Sequence, residues 1–199
     1  MRPCVACLCD LVTPVDNSVE VLLLQHPQEA REAKNSARLL ALGLSRVRLE
    51  VGERFDPVTL AGWIGPGGHL LYPQTDTAAD DRRRMQEAVD NLGFSPCGEA
   101  DRLVVLDATW RKSLRMLHLN PLLGALPRVV LHDVPPARYG AMRRARREGQ
   151  LSTLEAVCAA LGQLEQAPGR YAPMLAGFDR FVARWQAQLR PEPPPATPG

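Results

Sequence analysis

Asp107, Thr109 and Trp110 stand where an apolar run gives way to a helical pattern, and their side chains are of types that could carry chemistry. Residues 103–106 are apolar and partly β-branched, which predicts a buried strand. Open α/β sheets bind ligands in the crevice outside the carboxyl ends of their strands, so polar side chains there point to a ligand site. A structural role is the alternative, in which Asp107 caps the helix and Trp110 fills the core.

Three further polar motifs lie at predicted element boundaries. His26-Pro27-Gln28-Glu29 directly follows the apolar run of residues 20–25, and Asn35-Ser36-Ala37-Arg38 comes soon after it. As an alternative, the Asn-Ser pair fits a solvated helix face. Ser152-Thr153-Leu154-Glu155 has the spacing of a capping box, in which the serine and glutamate side chains bond backbone N–H groups at the start of a helix. We expect the start of that helix to offer further N–H groups to an anion.

Arginine supplies nearly all of the positive charge. Of the 24 basic residues only Lys34 and Lys112 are lysine, and the formal net charge is +2. Arginine binds phosphate bidentately and stacks on bases, so its clusters suit a polyanion such as RNA. The alternatives are an arginine-rich proteome and ordinary solvated faces. The clusters are Arg82, Arg83 and Arg84, and Arg143, Arg144, Arg146 and Arg147.

Three cysteines, Cys4, Cys7 and Cys9, lie close together and could hold zinc as thiolates. A closed structural zinc site takes four ligands, and His26 is the candidate for the fourth. The five cysteines of the chain are an odd number, unlike a secreted disulfide framework. No run reaches the roughly 20 apolar residues of a membrane helix, and no secretory signal is visible. We therefore expect a cytoplasmic protein with no membrane segment and no obligate protein partner.

Strands and helices alternate along the chain, which predicts an α/β fold with a mostly parallel sheet and helices on both faces. The predicted strands are 20–25, 46–51, 69–72, 102–106 as the central strand, and 128–131. The predicted helices are 29–42, 80–92, 112–119, 152–165 and 174–189. Glycine and proline punctuate residues 57–68, which predicts a loop, and residues 135–150 are expected to be irregular. The proline-rich tail 191–199 is expected to be disordered.

Taken in order, the motifs resemble the DTW-domain family, the tRNA-uridine aminocarboxypropyltransferases. The family's D-x-T-W element corresponds to Asp107-Ala108-Thr109-Trp110. Its C-x-C element fits Cys7-Leu8-Cys9, but the sequence has no separate C-x-x-C pair before it, and Cys4 is a partial substitute. The elements H-P-x-E, N-T/S-x-x-L, L-Y/F-P and L-S-T-x-E-A match His26-Pro27-Gln28-Glu29, Asn35-Ser36-Ala37-Arg38-Leu39, Leu71-Tyr72-Pro73 and Leu151-Ser152-Thr153-Leu154-Glu155-Ala156.

The resemblance implies a SPOUT-like fold, an α/β sheet whose knotted C-terminal half binds S-adenosylmethionine. It divides the chain into a cysteine-containing segment 1–15 with a partial zinc knuckle, a catalytic domain 16–190 and the tail 191–199. The implied reaction moves the 3-amino-3-carboxypropyl group from S-adenosylmethionine to N3 of a uridine in tRNA. A SPOUT-like RNA methyltransferase and a non-catalytic RNA-binding module are the alternative functions.

The resemblance also implies roles for single residues. Asp107 is expected to be catalytic, either as the base that takes the N3 proton or as the group that orients the substrate or the amino group of the cofactor. Cofactor contacts are expected from Ser36, Leu106, Thr109, Trp110, Leu131, Leu151, Ser152 and Thr153. RNA contacts are expected from His26, Glu29, Arg38, Tyr72, Arg143, Arg144, Arg146 and Arg147. The expected ligands of a structural zinc are Cys4, Cys7 and Cys9.

Overall fold

The structure is a computed structural model, and it describes residues 8–32, 35–73, 79–95, 98–132 and 151–189. The predictions made for Cys4 and Cys7, for the irregular segment 135–150 and for the tail 191–199 lie outside these residues. The same holds for the arginine cluster of residues 143–147.

Within the described residues, five parallel strands form one sheet. They are β1 Glu20–Gln25, β2 Val47–Val51, β3 Gly68–Leu71, β4 Arg102–Asp107 and β5 Arg128–Val129. Their order is β2-β1-β4-β3-β5, so β4 is the central strand, as the sequence predicts. β1 and β4 are apolar and buried along most of their length, as expected of parallel strands covered by helices on both faces. Because all strands are parallel, their carboxyl ends lie together at one edge, the carboxyl edge.

Helices cover both faces of the sheet, which confirms the predicted layers. The described residues hold α1 Pro27–Ala30, α2 Ala37–Gly43, α3 Pro57–Ile64, α4 Ala79–Leu92, α5 Trp110–Leu119, α6 Pro121–Ala125, α7 Thr153–Leu164 and α8 Ala172–Leu189, with a 3₁₀ turn at Cys9–Leu11. α2, α7 and α8 pack with Val21 and Leu103 on one face, while α3, α5 and α6 pack with Leu22 and Val104 on the other. None of the helices described is both long and apolar enough to cross a membrane.

The segment predicted as a loop at 57–68 begins with helix α3, so that prediction is wrong. The Asp56 side chain caps this helix by accepting hydrogen bonds from the backbone N–H and the hydroxyl of Thr59. Pro57 stands in the first turn, where no N–H needs a partner within the helix. Gly65 ends the helix with a φ of +66°, a left-handed conformation that favours glycine. The proline and the glycine therefore mark the two ends of a short helix.

Other boundaries also differ from the prediction. The single helix predicted at 29–42 is two helices, α1 and α2, with Asn35 and Ser36 buried between them. The Asn35 side chain accepts the N–H of Ala37 at 2.9 Å, which starts α2 as a new helix. β5 is shorter than predicted, with two residues, and β4 runs one residue further, through Asp107.

The opposite edge of the sheet, where strands begin, is held by Glu165, the residue after α7. Its side chain, 2% exposed, accepts hydrogen bonds from the N–H groups of Ser18 and Val19 and from the Tyr171 hydroxyl at 2.7, 3.0 and 2.6 Å. Arg170 adds an ion pair at 2.9 Å. Burial opposes the charge, but the hydrogen bonds outweigh it and hold the pKa of Glu165 below its ordinary value. Glu165 thus ties the end of α7 to the start of β1.

Candidate active site at the carboxyl edge

Asp107, the last residue of β4, is the centre of the hydrogen bonding at the carboxyl edge. Its Oδ2 accepts hydrogen bonds from Gln25 Nε2 at 2.7 Å and from Asn35 Nδ2 at 2.6 Å. Its Oδ1 accepts one from the Thr153 hydroxyl at 2.7 Å. The amide of Asn35 can be oriented because its Oδ1 accepts the N–H of Ala37. One buried carboxylate thus joins the end of β1, the residues before α2 and the first residue of α7.

The donors around Asp107 are all uncharged, so none of them cancels the charge of the carboxylate. A carboxylate has about four lone-pair positions, and three hydrogen bonds leave about one for a ligand. In the part of the chain that the structure describes, no basic side chain forms an ion pair with Asp107. The remaining position therefore suits an N–H group of a ligand, above all a positively charged one.

Trp110 and Tyr72 form a stack beside this carboxylate. Their ring centroids are 5.2 Å apart and their planes differ by 11°. Tyr72 directly follows β3 and is buried, whereas Trp110 begins α5 and is 49% exposed. Ser113 Oγ donates to the carbonyl of Trp110 at 2.9 Å, so the Tyr72 hydroxyl, 3.0 Å from that oxygen, is the donor to Ser113. Tyr72 therefore supports Trp110, and Trp110 presents its indole at the edge.

Arg128, in β5, packs over the ring of Tyr72 with its Cζ 5.4 Å from the ring centroid. Burial lowers the pKa of Arg128 from its ordinary value and raises that of Tyr72, which the hydrogen bond between Tyr72 and Ser113 and the charge of Arg128 only partly offset. A tyrosine with a raised pKa is uncharged at neutral pH. Tyr72 thus acts here as a neutral aromatic ring between a guanidinium and an indole.

His26, predicted as an RNA contact, holds the end of β1 in place. Its Nδ1 accepts the N–H of Gln28 at 3.2 Å, which places the ring proton on Nε2, 3.4 Å from Glu53 Oε1. Glu53 also pairs with Arg115 at 2.8 Å. The backbone N–H of His26 donates to the carbonyl of Asp107 at 3.1 Å. Both ring nitrogens of His26 therefore face groups of the chain itself, which leaves neither for the zinc ligation considered from the sequence.

Glu29 and Arg38, also predicted as RNA contacts, bond to neighbouring parts of the chain. Glu29 is buried and forms an ion pair with Lys112 of α5 at 2.8 Å. Arg38 Nη2 donates to the carbonyl of Ala30, the last residue of α1, at 2.9 Å. These contacts fix α1 against α5 and α2 at the carboxyl edge. Contact with RNA by His26, Glu29, Arg38 and Tyr72 stays a prediction.

The capping box predicted at the start of α7 is confirmed. Ser152 Oγ accepts the N–H of Glu155 at 3.2 Å, and Glu155 Oε2 accepts the N–H of Ser152 at 2.9 Å. The box fixes the first turn of α7 and so places the Thr153 hydroxyl on Asp107. Binding of an anion at this helix start stays a prediction.

The other predicted cofactor residues lie next to the same strand ends and helix starts. Ser36 precedes α2, is buried, and makes no capping hydrogen bond with its hydroxyl. Leu106 packs in the core with α3, α5 and α6, and Thr109 immediately precedes α5. Leu131 and Leu151 are partly buried, the first after β5 and the second before α7. Their contact with a cofactor stays a prediction.

A metal site is not visible in the described residues, which hold no group of three or more His, Cys, Asp or Glu side chains placed to bind an ion. Cys9 is exposed in the 3₁₀ turn. The two other cysteines of the cluster, Cys4 and Cys7, are outside the described residues. Structural zinc stays a prediction.

Comparison with known proteins gives the family. A family model described as the DTW domain matches residues 1–186. The chain belongs to the DTW domain family. It is 31% identical over 176 residues to tRNA-uridine aminocarboxypropyltransferase 2 of Drosophila melanogaster, covering 84% of this chain and 65% of that protein. It is 23% identical over 218 residues to tRNA-uridine aminocarboxypropyltransferase A of Arabidopsis thaliana, covering 96% of this chain and 82% of that protein.

The chain therefore spans less than two thirds of the length of the Drosophila relative, at 65%. No solved structure matches the chain. Within this DTW domain the sequence motifs led to Asp107, Trp110 and Thr153, but sequence reasoning assigned no role to Gln25 or Arg128. Gln25 carried a signal, because it is a polar residue that closes an apolar strand. For Arg128 the sequence offers no such signal, because no local pattern indicates that its side chain contacts the ring of Tyr72.

Proposed function

We propose that this DTW domain transfers the 3-amino-3-carboxypropyl group from S-adenosylmethionine to N3 of a uridine in tRNA, forming 3-(3-amino-3-carboxypropyl)uridine. The observation that carries the proposal is the family match over residues 1–186, whose D-x-T-W motif contributes a buried, uncancelled carboxylate at the carboxyl edge. The names of the two relatives support the class of substrate and the group transferred.

The residues at the carboxyl edge fit S-adenosylmethionine in their chemistry. The molecule combines an ammonium group, a sulfonium and a purine ring. Asp107 offers an acceptor position and an uncancelled negative charge, and the half-exposed indole of Trp110 offers a surface for a ring. Ser36, whose hydroxyl is not used as a cap, offers a further polar group. When bound, S-adenosylmethionine supplies a carbon activated by its sulfonium and leaves as 5′-methylthioadenosine.

Asp107 handles the proton in this proposal. N3 of uracil carries a proton at neutral pH, so N3 attacks carbon only as a base removes that proton. The N3–H group donates to the position of Asp107 that Gln25, Asn35 and Thr153 leave open, and Asp107 takes the proton as the N–C bond forms. The three donors keep the carboxylate in one place through this step. In the alternative role, Asp107 holds the ammonium of the cofactor and orients it.

Arginine side chains hold the tRNA in this proposal, and the free face of Trp110 takes either the purine of the cofactor or a base of the tRNA. RNA-binding proteins commonly stack unpaired bases on aromatic rings, and the half-exposed indole of Trp110 can receive one. Phosphate contacts come from Arg143, Arg144, Arg146 and Arg147, so affinity falls as salt rises. The predicted RNA contacts of His26, Glu29 and Arg38 would come from side chains that also fix the position of α1.

Nucleoside mass spectrometry tests the proposal. Purified protein is incubated with tRNA and S-adenosylmethionine, and both the nucleosides and the small products are identified. We expect 3-(3-amino-3-carboxypropyl)uridine together with an equal amount of 5′-methylthioadenosine. A methylated nucleoside with S-adenosylhomocysteine would instead support the methyltransferase alternative. Bound but unmodified tRNA would support the RNA-binding module.

We also propose the SPOUT-like knotted C-terminal half and the cytoplasmic location that the family resemblance implies. Residues 133–150, which stand between β5 and α7 in the sequence, lie outside the described residues. An experimental structure with S-adenosylhomocysteine that traces these residues tests the knot. A path that passes through no loop of the chain would contradict it.

A further inference from the structure

The guanidinium of Arg128 is a partly buried cation with unmet hydrogen-bonding capacity. Its Nη1 is buried and has no hydrogen-bond partner among the described residues, while its Nη2 reaches the carbonyl of Gly124 at 3.4 Å. Its other contact is the ring of Tyr72. A contact between a cation and an aromatic ring does not replace a hydrogen bond, so it leaves Nη1 without a hydrogen-bond partner in the described part of the chain.

Two other partly buried cations of the chain are each paired with a carboxylate. Arg102 pairs with Glu20 at 2.8 Å, and Lys112 pairs with Glu29 at 2.8 Å. Arg128 forms no ion pair within residues 8–32, 35–73, 79–95, 98–132 and 151–189. Removing a cation from water without a counter-charge is costly, so an unpaired one calls for an explanation.

The position of Arg128 supplies that explanation. In β5, Val129 faces the layer of α2, α7 and α8, so Arg128 faces the opposite layer, where Tyr72 lies. β5 pairs with β3, with Val129 opposite Leu71, the residue before Tyr72. Arg128 thus adjoins the carboxyl edge and stacks on the ring that supports Trp110.

We propose that Arg128 binds an oxyanion of a ligand at the Tyr72–Trp110 stack. The inference rests on the proposed function, which supplies two sources of this chemistry: the α-carboxylate of S-adenosylmethionine and a phosphate of tRNA. Both present paired oxygens that match the fork of a guanidinium. The carboxylate is favoured, because Nη1 is buried and a small group reaches it more readily than an RNA backbone does. In the alternative role of Asp107, in which it holds the ammonium of the cofactor, Arg128 and Asp107 hold the two opposite charges of the same amino acid moiety.

The test compares three probes on two variants. Isothermal titration measures binding of S-adenosylhomocysteine, of its decarboxylated analogue S-adenosyl-3-thiopropylamine, and of a tRNA transcript. Arg128→Met keeps the length of the side chain and removes the charge. Arg170→Met is the matched control, because Arg170 lies at the other edge of the sheet on Glu165. None of these binding measurements requires catalytic turnover.

We expect Arg128→Met to weaken S-adenosylhomocysteine about 10- to 100-fold, as loss of a charged hydrogen bond does, and to leave the decarboxylated analogue unchanged. An unchanged affinity for S-adenosylhomocysteine with a similar loss for tRNA would place a phosphate at Arg128 and still support the proposal. Unchanged affinity for all three probes, or no binding of any probe by the wild type, overturns it.

Thermal unfolding separates this role from a structural one. Removal of an unpaired charge is expected to leave the melting temperature of Arg128→Met unchanged or raised. A lowered melting temperature with unchanged ligand affinities would make Arg128 a support for Tyr72 only, and would overturn the inference. Failure of the proposed function can be told apart from failure of this inference. If the wild type forms no aminocarboxypropyl product, but Arg128→Met binds S-adenosylhomocysteine more weakly than the wild type does, the proposed function fails and the inference about Arg128 stands.

Discussion

Asp107 and Glu165 are two buried carboxylates near opposite ends of α7, and the donors around them differ. Glu165 accepts hydrogen bonds from two backbone N–H groups and a tyrosine, and it pairs with Arg170. Asp107 accepts hydrogen bonds from two amides and a hydroxyl, all uncharged. Each carboxylate ties α7 to one end of β1, through Gln25 at the carboxyl edge and through Ser18 and Val19 at the other.

We infer from this difference that Glu165 serves the stability of the fold and Asp107 serves a ligand. The charge of Glu165 is compensated by a cation, and its hydrogen bonds join elements of the fold directly. Asp107 accepts three hydrogen bonds as well but has no cation paired with it among the described residues, and it lies at the edge where α/β sheets bind ligands. A carboxylate that serves only the fold gains from a cation beside it, whereas one that serves a ligand must leave that place open.

Removal of Asp107 is expected to have the largest effect on activity. Asp107→Ala removes the proposed acceptor of the N3 proton and leaves Gln25, Asn35 and the Thr153 hydroxyl without this partner, so transfer is expected to fall by about 10²- to 10⁴-fold. The rate of 5′-methylthioadenosine release in the presence of tRNA measures this loss. If folded Asp107→Ala keeps the wild-type rate, Asp107 has a structural role like that of Glu165, and the proposed difference between the two carboxylates is wrong.

Removal of Glu165 is expected to affect stability instead. Glu165→Ala leaves the N–H groups of Ser18 and Val19 and the hydroxyl of Tyr171 unpaired, which lowers the free energy of unfolding by about 2–4 kcal/mol. Urea unfolding measures that loss. Transfer per folded molecule is expected to stay near the wild-type value, and a loss as large as that of Asp107→Ala would contradict the division of roles.

Trp110 is expected to have an intermediate effect on RNA binding. Stacking of a base is worth about 1–3 kcal/mol, so Trp110→Ala weakens binding of tRNA about 5- to 100-fold, whereas Trp110→Phe keeps most of it. Fluorescence anisotropy with a labelled tRNA measures both. Trp63→Phe is the matched control, because Trp63 packs against Phe55 and Arg48 elsewhere. If Trp110→Ala and the control change the affinity for tRNA equally, Trp110 does not contact the tRNA.

Lowering the pH is expected to reduce, by a small and gradual amount, the stability that the ionised side chain of Glu165 gives to the fold. The pKa of Glu165 is lowered in the folded chain, because the effect of its hydrogen bonds outweighs the effect of burial. At pH values above its ordinary pKa of 4.5, the ionised form of Glu165 therefore stabilises the fold. That stabilisation is lost as the pH falls through the lower folded value. The gap in unfolding free energy between wild type and Glu165→Gln should therefore narrow between about pH 6 and about pH 3. A constant gap would show that the charge of Glu165 is not what holds this edge.

The sequence predicts the parts of the site that local patterns encode. The apolar run before Asp107 predicts β4 and its polar end, and the spacing of Ser152 and Glu155 predicts the capping box that the structure has. Asp107 itself was expected at the carboxyl end of the central strand, and the structure places it there. These features depend on neighbours within a few residues.

Contacts between distant segments could not be read in the same way. Gln25 meets Asp107 only because β1 and β4 are neighbours in a register that pairs these two residues. Asn35 was expected in a helix, but it lies between two helices because its side chain serves Asp107 and Ala37 at once. Helix α3 was missed because proline and glycine at its ends resemble loop punctuation.

Single-turnover transfer by Asp107→Asn tests the central claim most directly. Asparagine can accept from Gln25 and Asn35 and donate to the Thr153 hydroxyl, so the variant keeps these three contacts. It loses the charge and the open acceptor position, where an N–H group of the amide now lies. Asp56→Asn, which keeps the cap of α3, is the control. With enzyme in excess over tRNA and saturating S-adenosylmethionine, wild type and Asp56→Asn should form 3-(3-amino-3-carboxypropyl)uridine at equal rates. Asp107→Asn should be slower by about 10²-fold or more, and an equal rate for all three proteins would contradict the account.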